Sequence, residues 1–274
     1  MKIRVRDLSF GYPGRRRAEK HAGRRIFSAL NADLDGGTAG RPLVILGTSG
    51  CGKTTFLKLL GGLFTPLEGR IIYPYMEGQD ENSPILIDGE AGQPQKPPKC
   101  AFIFQEPRLL PWLTVLENVS LPLEKDLGKT EALSRARHFL SMVFLEDKEG
   151  AFPEELSGGQ AQRVSMARAF AWPAPVLLMD EPFQSLDIPL RLSLMDLCLS
   201  LLGAEKNRLL IAVIHDPREA LYMAGRIMVL GAAREAGEGR FVYDKIIDLS
   251  PEDRAYGSAT MGKLEKEIIS VLQV

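Results

Sequence analysis

Residues 47–54 read Gly-Thr-Ser-Gly-Cys-Gly-Lys-Thr, which fits the phosphate-binding pattern G-x-x-x-x-G-K-[ST]. Glycines in such a loop let consecutive backbone N–H groups curl around phosphate oxygens without obstruction by a Cβ atom. An apolar run, Leu43–Leu46, precedes the loop, and a helix is predicted from Thr54 to Leu60, so that its positive end points at the anion. The pattern predicts a phosphate site in which Lys53 contacts the β- and γ-phosphates and the Thr54 hydroxyl binds Mg²⁺.

Reactive side chains also follow two further apolar runs. Asp180 and Glu181 come directly after residues 176–179, and His215 comes directly after residues 209–214. Continuous apolar runs are typical of strands buried on both faces of a parallel sheet, and ligands bind at the carboxyl ends of such strands. Taken alone, the acidic pair is a weak signal because strands often end in acidic turns, and a structural role is the alternative for the histidine. The agreement of three strands predicts that Asp180 holds Mg²⁺ through water, that Glu181 activates an attacking water and that His215 contacts the γ-phosphate.

A second glycine-rich segment, Leu-Ser-Gly-Gly-Gln at residues 156–160, precedes a helix predicted from Ala161 to Phe170. Exposed N–H groups and a serine hydroxyl at a helix start can bind an anion. An ordinary N-terminal cap would explain Ser157, but it would not call for two glycines and a glutamine. We therefore predict a second anion site here.

Composition limits the class of protein that carries these groups. The chain has 274 residues, of which 45% are apolar and 25% charged, with a formal net charge of -1, as expected for an ordinary globular protein. This balance argues against a nucleic-acid binder driven by bulk charge. No apolar stretch reaches the roughly 20 residues of a membrane span, and the N-terminus lacks an apolar signal core. The scattered Cys51, Cys100 and Cys198 suggest a reducing compartment, so we expect a soluble cytoplasmic protein.

The elements that must position the reactive groups alternate between strand and helix, which predicts an α/β core with an inserted helical piece. A strand is predicted over residues 3–8, helices over residues 114–144, and a terminal amphipathic helix over residues 263–272. Residues 74–100 are interpreted as an extended surface loop around a hairpin. The basic run at residues 15–25 is interpreted as a solvated loop, with a contact to phosphate or lipid head groups as the alternative.

With these motifs in view, the chain resembles the nucleotide-binding subunit of an ATP-binding cassette (ABC) transporter over essentially its whole length. The LSGGQ run at residues 156–160 matches the family signature, and it lies shortly before the Asp180-Glu181 pair, as in that family. The other matching positions are Gln105 (Q-loop), Ser185-Leu186-Asp187 (D-loop), His215 (switch histidine) and Tyr12 (the aromatic under adenine). Residues 104–115 and 215–220 are similar to those of bacterial nitrate/sulfonate/taurine-type importers.

The resemblance implies a P-loop RecA-like α/β core, an antiparallel β subdomain and an inserted helical signature subdomain at about residues 106–170. All of these would belong to one nucleotide-binding domain over residues 1–274. ATP and Mg²⁺ are the implied cofactors. The implied catalytic groups are Glu181, His215, Lys53 and Gln105, and the implied metal ligands are Thr54, Gln105 and Asp180. The implied nucleotide contacts are Tyr12, Gly47, Thr48, Ser49, Gly50, Cys51, Gly52, Lys53, Thr54, Thr55, Ser157, Gly158, Gly159, Gln160 and Asp187.

The resemblance also implies partners. One loop and one signature per chain predict a head-to-tail pair of ATPase subunits, either identical or different, around two ATP molecules. The pair would lie on the cytoplasmic face of a prokaryotic membrane and contact a permease near Gln105 and residues 107–113, with Trp112 as a candidate anchor. A periplasmic or surface solute-binding protein would take part indirectly, and no nucleic acid is expected. The alternatives are a soluble ABC ATPase without a transport role and a different phosphate-loop class, such as a GTPase or a small-molecule kinase.

Three features depart from the family pattern. Gln184 stands where that group of importers usually has glycine, residues 74–87 look like an insertion, and the basic run at residues 15–25 lengthens the first hairpin. None of them removes a group that hydrolysis needs. We therefore expect an active ATPase whose transported solute the sequence leaves open.

Overall fold

The computed structural model describes residues 1–13, 25–37, 40–73, 85–88, 99–184, 186–204, 208–232 and 238–273. Most of the basic run (residues 15–24), residues 74–84 of the insertion and Ser185 of the D-loop lie outside the described residues. The strands are β1 (Ile3–Gly11), β2 (Arg25–Leu34), β3 (Leu43–Gly47), β4 (Glu68–Tyr73), β5 (Ile85–Asp88), β6 (Cys100–Ile103), β7 (Val176–Asp180), β8 (Leu209–Val213), β9 (Arg226–Ala232) and β10 (Gly239–Ile246). The helices are α1 (Lys53–Leu60), α2 (Val115–Leu127), α3 (Lys129–Met142), α4 (Gly158–Ala171), α5 (Ile188–Ala204), α6 (Pro217–Met223) and α7 (Ala259–Leu272).

The chain forms two compact units. The first unit comprises Met1–Pro98 and Ile211–Val274, and the second unit comprises Lys99–Leu210. The second unit is an insertion in the sequence of the first, and it begins before and ends after the helical piece expected at residues 106–170. Each unit carries part of the predicted chemistry on its own strands.

The first unit contains an antiparallel sheet in the order β2-β1-β4-β5. Apolar side chains of β1 such as Ile3 and Val5 are buried, while Arg4 between them is exposed, as expected for a half-buried strand. The pair β4–β5 lies partly within the segment that the sequence interpretation assigned to a loop around a hairpin. This sheet is the predicted antiparallel β subdomain.

The first unit also contains parallel strands. β3 pairs in parallel with residues 211–213 of β8 on one side and with β9 on the other, and β10 pairs antiparallel with β9. Every residue of β3 is buried, because a central parallel strand is covered on both faces. The carboxyl ends of β3 and β8 therefore lie side by side, which places the segments that follow them next to each other.

In the second unit, β6 and β7 form a parallel pair, with Ile103 opposite Met179. The helical segment predicted at residues 114–144 is present as α2 and α3. Thr114 caps α2 through a reciprocal hydrogen-bond pair with Glu117. The helices α2, α3 and α4 pack on one another.

Two helices, α4 and α7, begin several residues before the start that the sequence predicted. α4 begins at Gly158 rather than Ala161. Ser157, which precedes both glycines, caps the helix together with Gln160, so the glycines form its first turn. α7 begins at Ala259 rather than Lys263, where Ser258 accepts a hydrogen bond from the Met261 amide. In the part of the chain that the structure describes, no helix has both the length and the apolar character needed to cross a membrane.

Candidate functional site

The phosphate-binding loop connects β3 to α1 in the first unit. Its lysine is buried, and Lys53 Nζ donates hydrogen bonds to the carbonyl oxygens of Gly47 at 2.8 Å and Thr48 at 3.0 Å. The helix start at Gly52 has no side-chain cap. Since the first N–H groups of a helix have no intrahelical partner, this end of α1 can donate to an anion. The loop therefore combines a fixed cation with backbone donors.

Two glycines of the loop are required by close packing. A Cβ atom on Gly47 would lie 2.3 Å from the Leu230 carbonyl oxygen of β9. A Cβ atom on Gly52, whose φ is +106°, would lie 2.8 Å from side-chain atoms of both Ile26 and Phe27. The loop thus rests directly on neighbouring backbone and aromatic atoms, whereas Thr48, Ser49 and Gly50 are exposed to solvent.

Tyr12 and Thr55 are linked beside the loop. The Tyr12 hydroxyl and the Thr55 hydroxyl are 2.9 Å apart, within hydrogen-bond distance. The Tyr12 ring packs edge-on against Phe10 and Phe64, with centroid distances of 5.4 Å and 5.9 Å, and the residue remains exposed at its outer side. Its predicted stacking on adenine stays a prediction, but its hydrogen bond joins it to the helix that follows the loop.

His215 lies near the loop because its strand is the neighbour of β3. Ile45 pairs with Val213, so the loop and His215 both follow the carboxyl ends of adjacent parallel strands. His215 is exposed, and the next residue, Asp216, caps α6. This part of the prediction, in which separate strands deliver groups to one edge, holds within the first unit.

Two arginines that the sequence interpretation did not identify hold the end of α6. Arg254 is buried and donates to the carbonyl oxygens of Leu221 and Ala224, each at 2.8 Å. Arg41 donates to the Tyr222 carbonyl oxygen at 3.0 Å. Burial lowers the pKa of Arg254 to about 10, so it remains a cation at neutral pH. These guanidinium groups satisfy carbonyls at the end of the helix that begins just after His215.

The second unit carries the acidic pair and the Q-loop. Asp180 is the last residue of β7 and Glu181 follows it, while Gln105 lies two residues after β6, the parallel neighbour of β7. Glu181 has a φ of +47°, a left-handed conformation that costs a non-glycine residue roughly 1 kcal/mol. Asp7, Ala29, Arg108 and Phe144 also have a positive φ, so the catalytic role of this carboxylate stays a prediction. The Gln105 amide nitrogen donates to the side-chain oxygen of Gln184, so the residue that departs from the family pattern holds the Q-loop glutamine.

Helix α4 anchors the segment after Gln105. Arg168 donates to the carbonyl oxygens of Pro107 at 2.9 Å and Arg108 at 3.0 Å. The Arg108 guanidinium lies 4.2 Å from the Phe104 ring centroid, and Arg108 itself has a φ of +47°. Burial lowers the pKa of Arg168. Sequence reasoning missed Arg168, since no motif marks a helix arginine that binds the carbonyls of a distant loop.

The signature segment is the capped start of α4. Ser157 Oγ accepts a hydrogen bond from the Gln160 amide at 3.3 Å, and Gln160 Oε1 accepts one from the Ser157 amide at 2.9 Å. A Cβ atom on Gly158 would meet no atom within 4 Å, whereas one on Gly159 would lie 2.5 Å from a methyl group of Leu190 in α5. The open space at Gly158 leaves room for a ligand or a second chain to approach.

The described part of the D-loop, Leu186 and Asp187, directly precedes α5. The Asp187 carboxylate accepts a hydrogen bond from the Leu190 amide at 2.9 Å, and the Asp187 carbonyl accepts one from the Arg191 amide at the same distance. Asp187 is exposed. Its carboxylate therefore serves at least as a helix cap, and its contact with nucleotide stays a prediction.

The donor chemistry fits ATP and Mg²⁺. The loop has two glycines at which a Cβ atom would clash, and its lysine donates a hydrogen bond to a loop carbonyl. This arrangement suits the binding of a phosphate chain. A hydroxyl such as that of Thr54, in the first unit, and a carboxylate such as that of Asp180, in the second unit, are oxygen groups of the kind that Mg²⁺ prefers, and their predicted role as its ligands stays a prediction. Among the residues that the structure describes, no group of three or more His, Cys, Asp or Glu side chains could hold a metal.

Cys51 lies inside the loop but is poorly reactive by its surroundings. It is 5% exposed, and burial raises the pKa of its thiol. Since the thiolate is the nucleophile, this environment slows alkylation. Cys51 thus contributes to the loop mainly by packing.

Comparisons with known proteins agree with the fold and the motifs. A family model described as ABC transporter matches residues 36–184. The aliphatic sulfonates import ATP-binding protein SsuB of Rhodopseudomonas palustris (strain BisA53) is 38% identical over 234 residues, which are 85% of this chain and 74% of that protein. An uncharacterized ABC transporter ATP-binding protein of Methanocaldococcus jannaschii is 37% identical over 233 residues, 84% of this chain and 79% of that protein.

A solved structure has a similar fold. The dimeric structure of MJ0796, a bacterial ABC transporter cassette, matches with a TM-score of 0.69 and 28% identity, covering 90% of this chain and 100% of that one. A second dimeric structure of that cassette, in a post-hydrolysis state bound to ADP and Pi, has a TM-score of 0.67. The expected fold class, a P-loop α/β core with an antiparallel β subdomain and a helical insertion, is confirmed.

Proposed function

Because this chain belongs to the ABC transporter family, we propose that it is the ATP-binding and ATP-hydrolysing subunit of an importer, which drives solute uptake through a separate membrane permease. The observation that carries the ATP assignment is the phosphate-binding loop, with its uncapped helix start at Gly52 and its buried Lys53. Relatives of 36 to 38% identity named as import ATP-binding proteins for aliphatic sulfonates support the importer assignment. We therefore assign aliphatic sulfonates as the solute class, within the wider nitrate, sulfonate and taurine group.

In the proposed mechanism, ATP binds first to the loop. Phosphate oxygens accept hydrogen bonds from the backbone N–H groups of residues 48–55 and from Lys53 Nζ, which turns from the loop carbonyls to the phosphates. Charge-assisted bonds of this kind are the strong ones. The Tyr12 ring stacks on the adenine base, while its hydroxyl keeps the ring next to Thr55.

Hydrolysis then needs a base and a charge stabiliser. Water attacks the γ-phosphorus, the bond from that phosphorus to the bridging oxygen breaks, and Glu181 accepts the proton of the water, giving ADP and inorganic phosphate. His215 donates a hydrogen bond to a γ-phosphate oxygen, and Gln105 orients the water. Thr54, Gln105 and Asp180 would hold Mg²⁺, which would supply positive charge against the phosphates.

The signature segment acts on a second copy of the chain. We assign Ser157, Gly158, Gly159 and Gln160, together with Asp187, to the ATP held by the loop of the partner subunit. The similar solved cassette is a dimer, which supports this assignment. ATP would favour the closed pair because only that state completes both sets of phosphate contacts.

The permease contact is assigned to residues 107–113 of the second unit. Trp112 is 70% exposed there. Asn118 orders the segment around it, since its side-chain nitrogen donates to the Leu110 and Leu113 carbonyls at 3.1 Å and 3.0 Å. An exposed aromatic on an ordered loop is a suitable anchor for a partner. This contact would hold the chain at the cytoplasmic face of the membrane, where a solute-binding protein acts on the permease from the opposite side.

The ATPase assignment is tested by Glu181→Gln. We expect unchanged ATP affinity, a fall in turnover of about 100-fold or more, and an ATP-dependent dimer detected by light scattering. Glu154→Gln, an exposed glutamate in the 3₁₀ turn Pro153–Glu155, is the matched control and should leave turnover unchanged. Retained turnover in Glu181→Gln would remove that carboxylate from its role.

The importer assignment is tested in membranes. The tagged chain, isolated in mild detergent, should return with a multi-span permease in comparable amount, and cells lacking the chain should lose uptake of aliphatic sulfonates. Replacing Trp112 with alanine should weaken the association. A chain that hydrolyses ATP but returns without a permease would favour the soluble ATPase alternative.

A further inference from the structure

An open cavity of about 550 Å³ lies at the surface of the first unit, next to the phosphate-binding loop, and its lining residues Thr48, Arg240 and Val242 are exposed to solvent. This volume is in the range of small-molecule sites. Three elements form its walls: the loop, the hairpin of β9 and β10, and the last turn of α7. The residues that matter here are Thr48, Leu230, Arg240, Val242, Ser270 and Leu272.

The lining has a definite chemistry. Leu230, Val242 and Leu272 supply aliphatic surface, and Thr48 supplies a neutral polar group. Arg240 is charged, and no acidic side chain lines the cavity among the residues that the structure describes. A guanidinium group matches the geometry of carboxylate, sulfonate and phosphate groups. The walls therefore suit a molecule with an alkyl body and one anionic head.

The cavity and the phosphate-binding loop share a residue and are in contact. Thr48 belongs both to the cavity wall and to the loop, and its carbonyl oxygen accepts a hydrogen bond from Lys53 at 3.0 Å. The hairpin also touches the loop, because a Cβ atom on Gly239 would lie 2.8 Å from the Cys51 carbonyl oxygen. A molecule held between Thr48 and the hairpin thus contacts the loop while Lys53 is bonded to the loop carbonyls.

We propose that this cavity binds a small aliphatic anion, with its acidic head at Arg240 and its alkyl chain against Leu230, Val242 and Leu272, and that its occupation weakens ATP binding. The bound anion favours the arrangement in which Lys53 is bonded to its own loop over the one in which Lys53 turns to phosphates. The inference goes beyond the proposed function, since ATP hydrolysis does not require this site. Two sources supply anions of this chemistry: a sulfonate that is imported and a carboxylate that is made in the cell.

Binding is tested by calorimetry on the full chain with hexanesulfonate, hexanoate and hexylammonium. We expect the anions to bind and the ammonium ion not to bind, and the tighter anion identifies the source. Arg240→Met should weaken anion binding by about 10-fold or more. Arg4→Met, at an exposed arginine of β1, is the matched control and should have no effect. Absence of anion binding at millimolar concentrations, equal binding of hexylammonium, or unchanged binding in Arg240→Met would overturn the proposal.

Coupling is tested by measuring ATP affinity with the cavity filled. A saturating anion should raise the dissociation constant for ATP about five-fold. Ser270→Trp, which places an indole at the cavity wall, should abolish the anion effect, and Arg240→Met provides the same test if the tryptophan variant does not fold. An ATP affinity that the anion leaves unchanged would refute the coupling. Lys53→Ala should still bind the anion, because Lys53 does not line the cavity. This result separates the proposed anion site from the ATPase assignment, so that either one can fail without the other.

Discussion

Two helices of this protein start in glycine-rich sequence, and they treat their first backbone N–H groups in opposite ways. α1 follows Gly52 with no side-chain cap, whereas Ser157 and Gln160 cap α4 reciprocally. The N–H groups of α1 are therefore kept for an anion, while part of the α4 start is already satisfied by its own side chains. Glycines at a helix start do not by themselves make a phosphate site. The two helix starts differ in whether side chains already accept hydrogen bonds from the backbone N–H groups. They also differ in that only α1 begins with a buried lysine.

Of the two glycines just before and at the start of α1, Gly52 should tolerate an added Cβ atom less well than Gly50. Gly52→Ala places that atom 2.8 Å from Ile26 and Phe27 at a φ of +106°, so we expect a loss of about 3 kcal/mol or more in unfolding free energy. Gly50→Ala, at a φ of +77° with no atom within 4 Å, isolates the backbone strain and should cost about 1–2 kcal/mol. Urea unfolding followed by circular dichroism measures both. Equal losses would show that packing at Gly52 is unimportant.

The lysine makes the functional difference between the two starts. Lys53→Ala should weaken ATP binding about 100-fold, because it removes charge-assisted hydrogen bonds to the phosphates. Lys58→Ala, in the last turn of the same helix, is the matched control and should bind ATP normally. Fluorescent-nucleotide titration measures both affinities. An unchanged affinity in Lys53→Ala would contradict the phosphate-loop assignment.

The cap of α4 should contribute to both stability and turnover. Ser157→Ala should lower the unfolding free energy by about 1 kcal/mol, as expected for loss of an N-terminal cap. Ser258→Ala removes the equivalent cap of α7 and should lower stability by a similar amount. Steady-state ATPase assays separate them, since only Ser157→Ala should reduce turnover. Equal turnover in the two variants would reduce the signature serine to a structural cap.

The smallest expected stability change concerns Gly158. Gly158→Ala adds a Cβ atom that meets nothing within 4 Å and improves helix propensity, so stability should rise by up to about 1 kcal/mol. Turnover should nevertheless fall, because the proposed dimer brings nucleotide to this open position. Gly159→Ala should not gain stability in this way, since its Cβ atom would lie 2.5 Å from a methyl group of Leu190, which would have to shift. A Gly158→Ala variant that is more stable and fully active would contradict nucleotide contact at Gly158.

Sequence patterns located the loop and the strand-end residues well because their chemistry is local. A glycine-rich loop between an apolar run and a helix needs only neighbouring residues to be recognised. Asp180 ends β7, Glu181 follows it, and His215 lies two residues after the end of β8. The same reasoning misplaced the start of α4 by three residues. The sequence indicates Ser157 as a possible cap, but glycine has low helix propensity, so the predicted helix does not include Gly158 and Gly159.

Contacts between distant segments were not readable in this way. Arg168 binds carbonyl oxygens about 60 residues away along the chain, Gln184 holds Gln105, and Arg254 caps the helix after His215. None of these pairs has a fixed spacing, so no pattern in a single sequence indicates them.

The sequence by itself determined which backbone could bind phosphate, since glycine content, a lysine and a helix start act through local geometry. It also determined the strands whose ends carry the acidic and histidine groups. Only the tertiary structure decided that Glu181 adopts a left-handed backbone and that a hairpin lies against the loop at Gly239. It alone formed the cavity beside Thr48. Those features arise from packing between elements far apart in the chain, where the closeness of atoms, rather than the order of residues, sets the free energy.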